Sequence, residues 1–168
     1  RNTLKSPTEI YTVKPDGSEE KALTALNAAR VAAARTGDFE EFFFKGWNNE
    51  PVHCLVVKPV DFDPAKKYPV AFLIHGGPQG SFGNDFHYRW NPQVYAGAGY
   101  VTIAINFHGS TGFGQAFCDA IRGDWGGKPF EDLMKGLDHA IAQSRFIDGN
   151  RVGALGASYG GYMINWIA

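Results

Sequence analysis

The sequence predicts an α/β fold, a largely parallel sheet with helices packed against it, and three observations carry that prediction. Short apolar runs, "YPVAFLI", "YVTIAIN" and "RVGAL", recur between residues 68 and 155, each suited to a strand buried on both faces. Helix-compatible stretches separate them. Each run also ends in a glycine-rich loop, "HGGPQG", "HGSTGFG" or "GASYGG", so that strand, loop and helix follow one another repeatedly.

In chain order, residues 8–13, "TEIYTV", alternate polar and apolar, and the Asp16-Gly17 turn follows, which predicts a β-hairpin over residues 8–23. Residues 19–35 are rich in helix formers and stop at Gly37, which predicts a linker containing a helix or partial helix. The pattern changes at Asp38, so residues 1–37 are expected to form one unit and 38–168 another. "FEEFFFKG" and "VHCLVVKP", separated by the turn-forming "WNNEP", predict an antiparallel pair. In "NPQVYAGAG", Asn91 is the expected helix cap, Pro92 the first helical residue, and Gly97 or Gly99 the stop. "PFEDLMKGLDHAIAQSR" places Phe130, Leu133, Met134, Leu137 and Ile141 on one stripe, with Glu131 and Asp132 in the first turn, where carboxylates favour the helix dipole.

Composition sets bounds on function. With 44% hydrophobic and 20% charged residues, the chain has the balance of a globular protein able to bury a core. A net charge of -1 without clustered Lys or Arg argues against a nucleic-acid partner. No apolar run approaches the roughly 18 residues of a membrane helix, so no membrane association is expected. Cys54 and Cys118 are too few for a disulfide framework and lack the paired spacing of a zinc site; they either pair or remain buried free thiols. No P-loop or dinucleotide fingerprint occurs, and neither a metal nor another cofactor is expected.

The chemistry concentrates in "GASYGGYM". In the pattern G-x-S-x-G, the serine occupies a sharp turn between a strand and a helix, and the glycines are required because side chains would strike both elements. Ser158 is therefore the candidate nucleophile. The amide of Tyr159, opening the following helix, is the candidate donor to an oxyanion. A second donor is expected from "HGGPQG", where Gly76 or Gly77 lets a backbone amide approach unobstructed. His75 is read as a structural hydrogen-bonding residue rather than a base. The loop "NFHGSTGFGQAF" is expected to line the substrate cleft, with His108 in its wall or just behind it. Phe82, Phe86, Tyr88, Trp90, Phe113 and Trp125 are candidates for a pocket, with core filling the alternative for each.

"HGGP", the N-x-x-GSTG-x-G loop, "GDWGG" and "GASYGGYM", in this order, resemble the catalytic domain of the prolyl oligopeptidase family of serine peptidases. Within it, "NFHGSTGFGQAF" and "GASYGGYMINWIA" are most similar to the fungal dipeptidyl-peptidases, whereas many bacterial members carry Arg at the position of His108. The resemblance spans residues 38–168 well and 1–37 more loosely. It implies an α/β-hydrolase fold, truncated after the nucleophile turn and preceded by the end of a β-propeller. It further implies Ser158 as nucleophile, the amides of Tyr159 and of Gly76 or Gly77 as oxyanion hole, peptide substrates cleaved to dipeptides, and secretion. Such folds order their triad as serine, acid, then histidine, and "YGGYMINWIA" after Ser158 contains neither partner. The acid and histidine are therefore expected beyond residue 168, and the isolated piece is expected to be inactive and to aggregate or stay partly unfolded. An esterase or lipase on the same scaffold, or a non-catalytic binding domain, are the competing readings. Oligomeric state is not legible.

Overall fold

A computed structural model describes all 168 residues. Five strands form one mixed sheet: β3 (Phe39–Lys45), β4 (Pro51–Val57), β5 (Tyr68–Ile74), β6 (Val101–Asn106) and β7 (Ile147–Gly156), in the spatial order β3-β4-β6-β5-β7. The β3–β4 pair is antiparallel, as the interrupted β-rich segments imply, and β4 also runs antiparallel to β6. From β6 the sheet turns parallel, β5 pairing with both β6 and β7.

Period-two geometry divides the central strands between two cores. Cys54 and Val56 of β4, Phe72 and Ile74 of β5, and Ile103 and Ile105 of β6 face one side; Leu55, Val57, Leu73 and Ala104 face the other. Burial of each large side chain is worth about 1.5–3 kcal/mol, which makes the continuous apolar runs the principal stabilising feature of the sheet. The first core is closed by α4 (Lys128–Gln143) and α5 (Tyr159–Ile167), which contribute Leu133, Ala140, Tyr159 and Met163. The predicted apolar stripe of α4 packs there, with Phe130, Met134, Leu137 and Ile141 against the cluster. The second core is closed by α2 (Pro92–Gly97) through Ala96, and by Leu4 of the amino-terminal segment. At the start of α2 the Asn91 side chain accepts a hydrogen bond from the Gln93 amide, and Pro92 occupies the first turn.

The amino-terminal hairpin exists as two-residue strands, β1 (Tyr11–Thr12) and β2 (Lys21–Ala22), in a sheet of their own. Only Ala28–Ala33, α1, is helical in the stretch 19–35. Lys21 and Ala22 are instead drawn into the strand that pairs with β1. A five-residue helix, α3 (Gln115–Asp119), follows the glycine loop after β6 without a sequence signal.

Asp132 departs most from expectation. It does not serve the helix dipole at the surface of α4. It is fully buried, and its carboxylate accepts hydrogen bonds from the amides of Trp47 and His108 (both 2.7 Å) and engages His108 Nδ1 at 2.6 Å. His108 Nε2 reaches Glu50 at 3.1 Å, so the imidazole ties α4 to the loop after β6 and to the short 3₁₀ turn Trp47–Asn49. Both cysteines are free thiols, Cys54 buried in the first core and Cys118 partly exposed. No helix is long and apolar enough to cross a membrane.

Candidate active site

Parallel pairing of β5 with β7 aligns Ile74 with Gly156, so both strands end at the same height and their loops emerge side by side. The turn after β7 is as tight as the glycine spacing demands. A methyl group on Gly156 would lie 2.7 Å from both the Gly160 carbonyl carbon and the Ile74 oxygen, and one on Gly160 would collide with that same Ile74 oxygen. With strand and helix this close, Ser158 is forced to φ 56°, ψ -121°, a conformation non-glycine residues rarely adopt and one that costs about 1–3 kcal/mol.

The strain has a directional result. Ser158 is exposed, its hydroxyl makes no hydrogen bond within the chain, and it borders a cavity of about 610 Å³. Gly76 and Gly77 border the same cavity, and a methyl group on Gly76 would stand 3.3 Å from Ser158 Cβ. Immediately after Ser158 begins α5, whose first-turn amides have no intrahelical acceptor. Tyr159 supplies the first of these, while its ring turns inward, almost wholly buried, and its hydroxyl donates to the Trp125 carbonyl at 2.7 Å. Burial pushes the Tyr159 phenol well above its usual range, so the ring serves as an anchor for the helix start. The arrangement can present a nucleophilic oxygen and backbone donors to one carbonyl group.

His75 lies beneath this loop in a fixed role. Its Nδ1 donates to the Gly76 carbonyl (2.9 Å), which leaves Nε2 to accept from the Ser110 hydroxyl (2.9 Å), and its ring stacks on Phe107 at 4.3 Å. Burial depresses its pKa, against the opposing effect of the Gly76 carbonyl, so the imidazole is neutral and both nitrogens are committed away from Ser158.

The glycine loop after β6, "HGSTGFG", supports the site without lining it. Contrary to expectation, His108 does not border the cavity; its two carboxylate partners and the stacked Phe117 (4.1 Å) hold it in the opposite core. What the loop contributes is Asn106, at the end of β6. Its side chain accepts from the Phe82 amide and donates to the Phe82 carbonyl, both at 2.8 Å, and so clamps the start of the segment that forms the far wall. Of the candidate aromatics, Phe82 and Trp90 line the cavity. Phe86 and Tyr88 pack on one another, Phe113 packs on Phe117, and Trp125 packs on Tyr159 and Tyr162. Leu4, Asp85 and Arg89 also line the cavity, although nothing in local pattern marked them. They converge only through contacts between segments distant in sequence.

Comparison with known proteins agrees with this geometry. The model of the prolyl oligopeptidase family matches residues 86–168. Dipeptidyl-peptidase 5 of Schizosaccharomyces pombe is 51% identical over 129 residues, 77% of this chain and 19% of that protein. Dipeptidyl-peptidase 5 of Arthroderma otae is 51% identical over 160 residues, 94% of this chain and 22% of that protein. Among solved structures, acylaminoacyl peptidase of Pyrococcus horikoshii superposes with a TM-score of 0.88 at 30% identity, over 98% of this chain and 26% of that one. Dipeptidyl peptidase 4 of Porphyromonas gingivalis gives 0.79 at 25% identity, over 99% and 24%. The chain thus spans about a fifth of the length of the curated relatives it matches.

Proposed function

We propose that the chain, whose residues 86–168 match the prolyl oligopeptidase family and whose fold is that of an α/β-hydrolase, belongs to that family and carries the nucleophile of a serine peptidase releasing dipeptides from the amino termini of peptides. Ser158 Oγ attacks the carbonyl carbon of the scissile amide while its proton passes to a base. The resulting oxyanion accepts hydrogen bonds from the amide of Tyr159 and from that of Gly76 or Gly77. Collapse of this intermediate breaks the C–N bond, the leaving amine takes the proton from the base, and the dipeptidyl group remains as an ester on Ser158. Water, deprotonated by the same base, then cleaves the ester. Because both His75 nitrogens are engaged away from Ser158, the base in this proposal is a histidine contributed by residues outside these 168, oriented by a carboxylate likewise outside them.

The observation that supports the reading best is the strained backbone of Ser158 set directly beside Gly76 at the wall of a cavity. The test uses the full-length protein and a fluorophosphonate probe. Labelling of Ser158, absent in Ser158→Ala, is expected, together with turnover of a dipeptidyl amide that exceeds turnover of a short acyl ester. Preference for the ester would favour an esterase; failure to label would leave a binding domain.

A further inference from the structure

The segment that follows Gly76 and Gly77 is fastened to the end of β6 at two points. The Gly80 carbonyl accepts from the Thr111 amide at 3.0 Å, and Phe82 is clamped through both of its backbone groups by the Asn106 side chain. Phe82 lines the cavity together with Ser158, Gly76 and Gly77, so the clamp sets where that wall stands. The two bonds to Phe82 admit one orientation of the Asn106 carboxamide. Its Oδ1 must face the Phe82 N–H and its Nδ2 the Phe82 carbonyl, because a flipped amide would set donor against donor and acceptor against acceptor.

The remaining hydrogen of Nδ2 is directed to His53 Nδ1, 2.9 Å away on β4, where His53 and Asn106 stand opposite each other in the strand register. That ring nitrogen is therefore an acceptor, and the imidazole carries its single proton on Nε2. From this we propose that His53 is a proton-controlled positioning residue: neutral, it holds Asn106 in the orientation that clamps Phe82; protonated, it turns an N–H against the Nδ2 hydrogen and releases the cavity wall. The consequence for substrate binding rests on the peptidase reading, whereas the latch itself does not.

The latch is enclosed by residues of this chain. His53 is 8% exposed, packed between Phe43 on β3 (ring centres 5.2 Å apart) and Phe113 on the loop after β6 (5.8 Å), and Asn106 is 1% exposed. One charged group faces the ring, Glu41 on β3, whose carboxylate stands 3.8 Å from Nε2. The end of β6 and the loop after it present Asn106 and Phe113, which do not titrate. Burial lowers the His53 pKa from its ordinary 6.5, against a smaller opposing pull from Glu41. With the pKa lowered, the neutral form and its clamp are complete above pH 6.5 and are lost as pH falls through the folded value. The coupling is reciprocal, since the clamp disfavours the proton as much as the proton disfavours the clamp.

The test is hydrogen exchange at the Phe82 amide in the full-length protein, read by mass spectrometry with labelling times scaled to the intrinsic rate at each pH. Protection is expected to fall about two- to tenfold between pH 8 and pH 5, the range for one hydrogen bond lost. Glu41→Gln, a change at a side chain that reaches solvent, is expected to move the midpoint of that fall to lower pH. His53→Asn, whose amide oxygen replaces Nδ1 as an acceptor that does not titrate, is expected to hold protection at both pH values. A wild type with no such fall, a midpoint unmoved in Glu41→Gln, or a fall that persists in folded His53→Asn overturns the latch. With a dipeptidyl amide as substrate, the KM of the wild type is expected to rise about two- to tenfold over the same pH interval and that of His53→Asn to stay level, while the pH profile of kcat is common to both. A level KM in a wild type whose Phe82 amide has lost protection overturns the link to substrate binding. Exchange is read without turnover, so failure of the peptidase reading and failure of the latch give different results.

Discussion

The carboxylate of Asp132 engages His108 twice, at the backbone amide (2.7 Å) and at Nδ1 (2.6 Å), although neither residue touches solvent. Removing one member leaves the other buried without its partner, so Asp132→Ala is expected to destabilise the protein by about 3–5 kcal/mol. The check is the shift in urea midpoint of the intact protein, with a loss below about 1 kcal/mol counting against the packing described.

The same cluster gives a pH signature. Burial alone would lower the His108 pKa, but the hydrogen bonds and charges of Asp132 and Glu50 together raise it above its ordinary 6.5. A raised pKa means that the stabilisation is complete below pH 6.5 and is lost as pH climbs through the folded value. Glu50 behaves oppositely: hydrogen bonds from His108, then Asn48, hold its pKa below 4.5, so its share is present above that pH and lost on acidification. The difference in Tm between wild type and His108→Gln is therefore expected to be largest between pH 4.5 and 6.5 and to shrink on both sides. A difference that stays constant from pH 5 to 9 would contradict it.

Gly160→Ala forces a methyl group against the Ile74 carbonyl and must widen the turn between β7 and α5. The expected cost is about 1–3 kcal/mol in stability. Because Ser158 would be displaced from Gly76, phosphonate labelling is expected to slow at least about a hundredfold, the scale of losing one oxyanion donor. A folded variant that labels at the wild-type rate would refute the link between close packing and reactivity.

His75→Gln keeps a hydrogen-bonding group near Ser110 and removes the imidazole. Stability is expected to fall by about 1 kcal/mol, and labelling of Ser158 by less than tenfold. A fall in the range of about 10²–10⁴, the contribution of a general base, would mean that His75 is the proton acceptor.

The two thiols are expected to separate cleanly. Burial, with a smaller contribution from Glu40, pushes the Cys54 thiol up to about 12, whereas Cys118 is partly exposed. At pH 8, Ellman's reagent should titrate Cys118 in the folded protein and reach Cys54 only after denaturant is added. Prompt reaction of Cys54 under native conditions would show that the first core opens readily.

Much of this architecture is legible in local sequence because the causes are local. The strands β4 to β6 are continuous apolar runs, Asn91-Pro92 encodes a helix start within two residues, and the glycines flanking Ser158 encode a close approach that no other residue permits. Asp132 misleads because its position in the first turn of α4 suggests a surface role; the partners that bury it, Trp47 and His108, lie 85 and 24 residues away. The cavity wall is obscure for the same reason. Asp85 carries no pattern of its own, and its placement follows from Asn106 and Leu4 acting on either side of a segment without regular structure. At Lys21 and Ala22 pairing with β1 wins over helix propensity, a tertiary effect that propensity does not register.

Leu4 carries an implication for engineering. A swap that exchanges everything before residue 37 between two homologous proteins would treat that stretch as a detachable adaptor, yet one of its side chains is wedged beneath the sheet and its amide steadies the rim of the cavity beside Ser158. Hybrids joined at residue 37 would inherit a mismatched floor under that cavity, whereas a junction that keeps Leu4 with residues 38–168 takes the floor and the rim from the same parent.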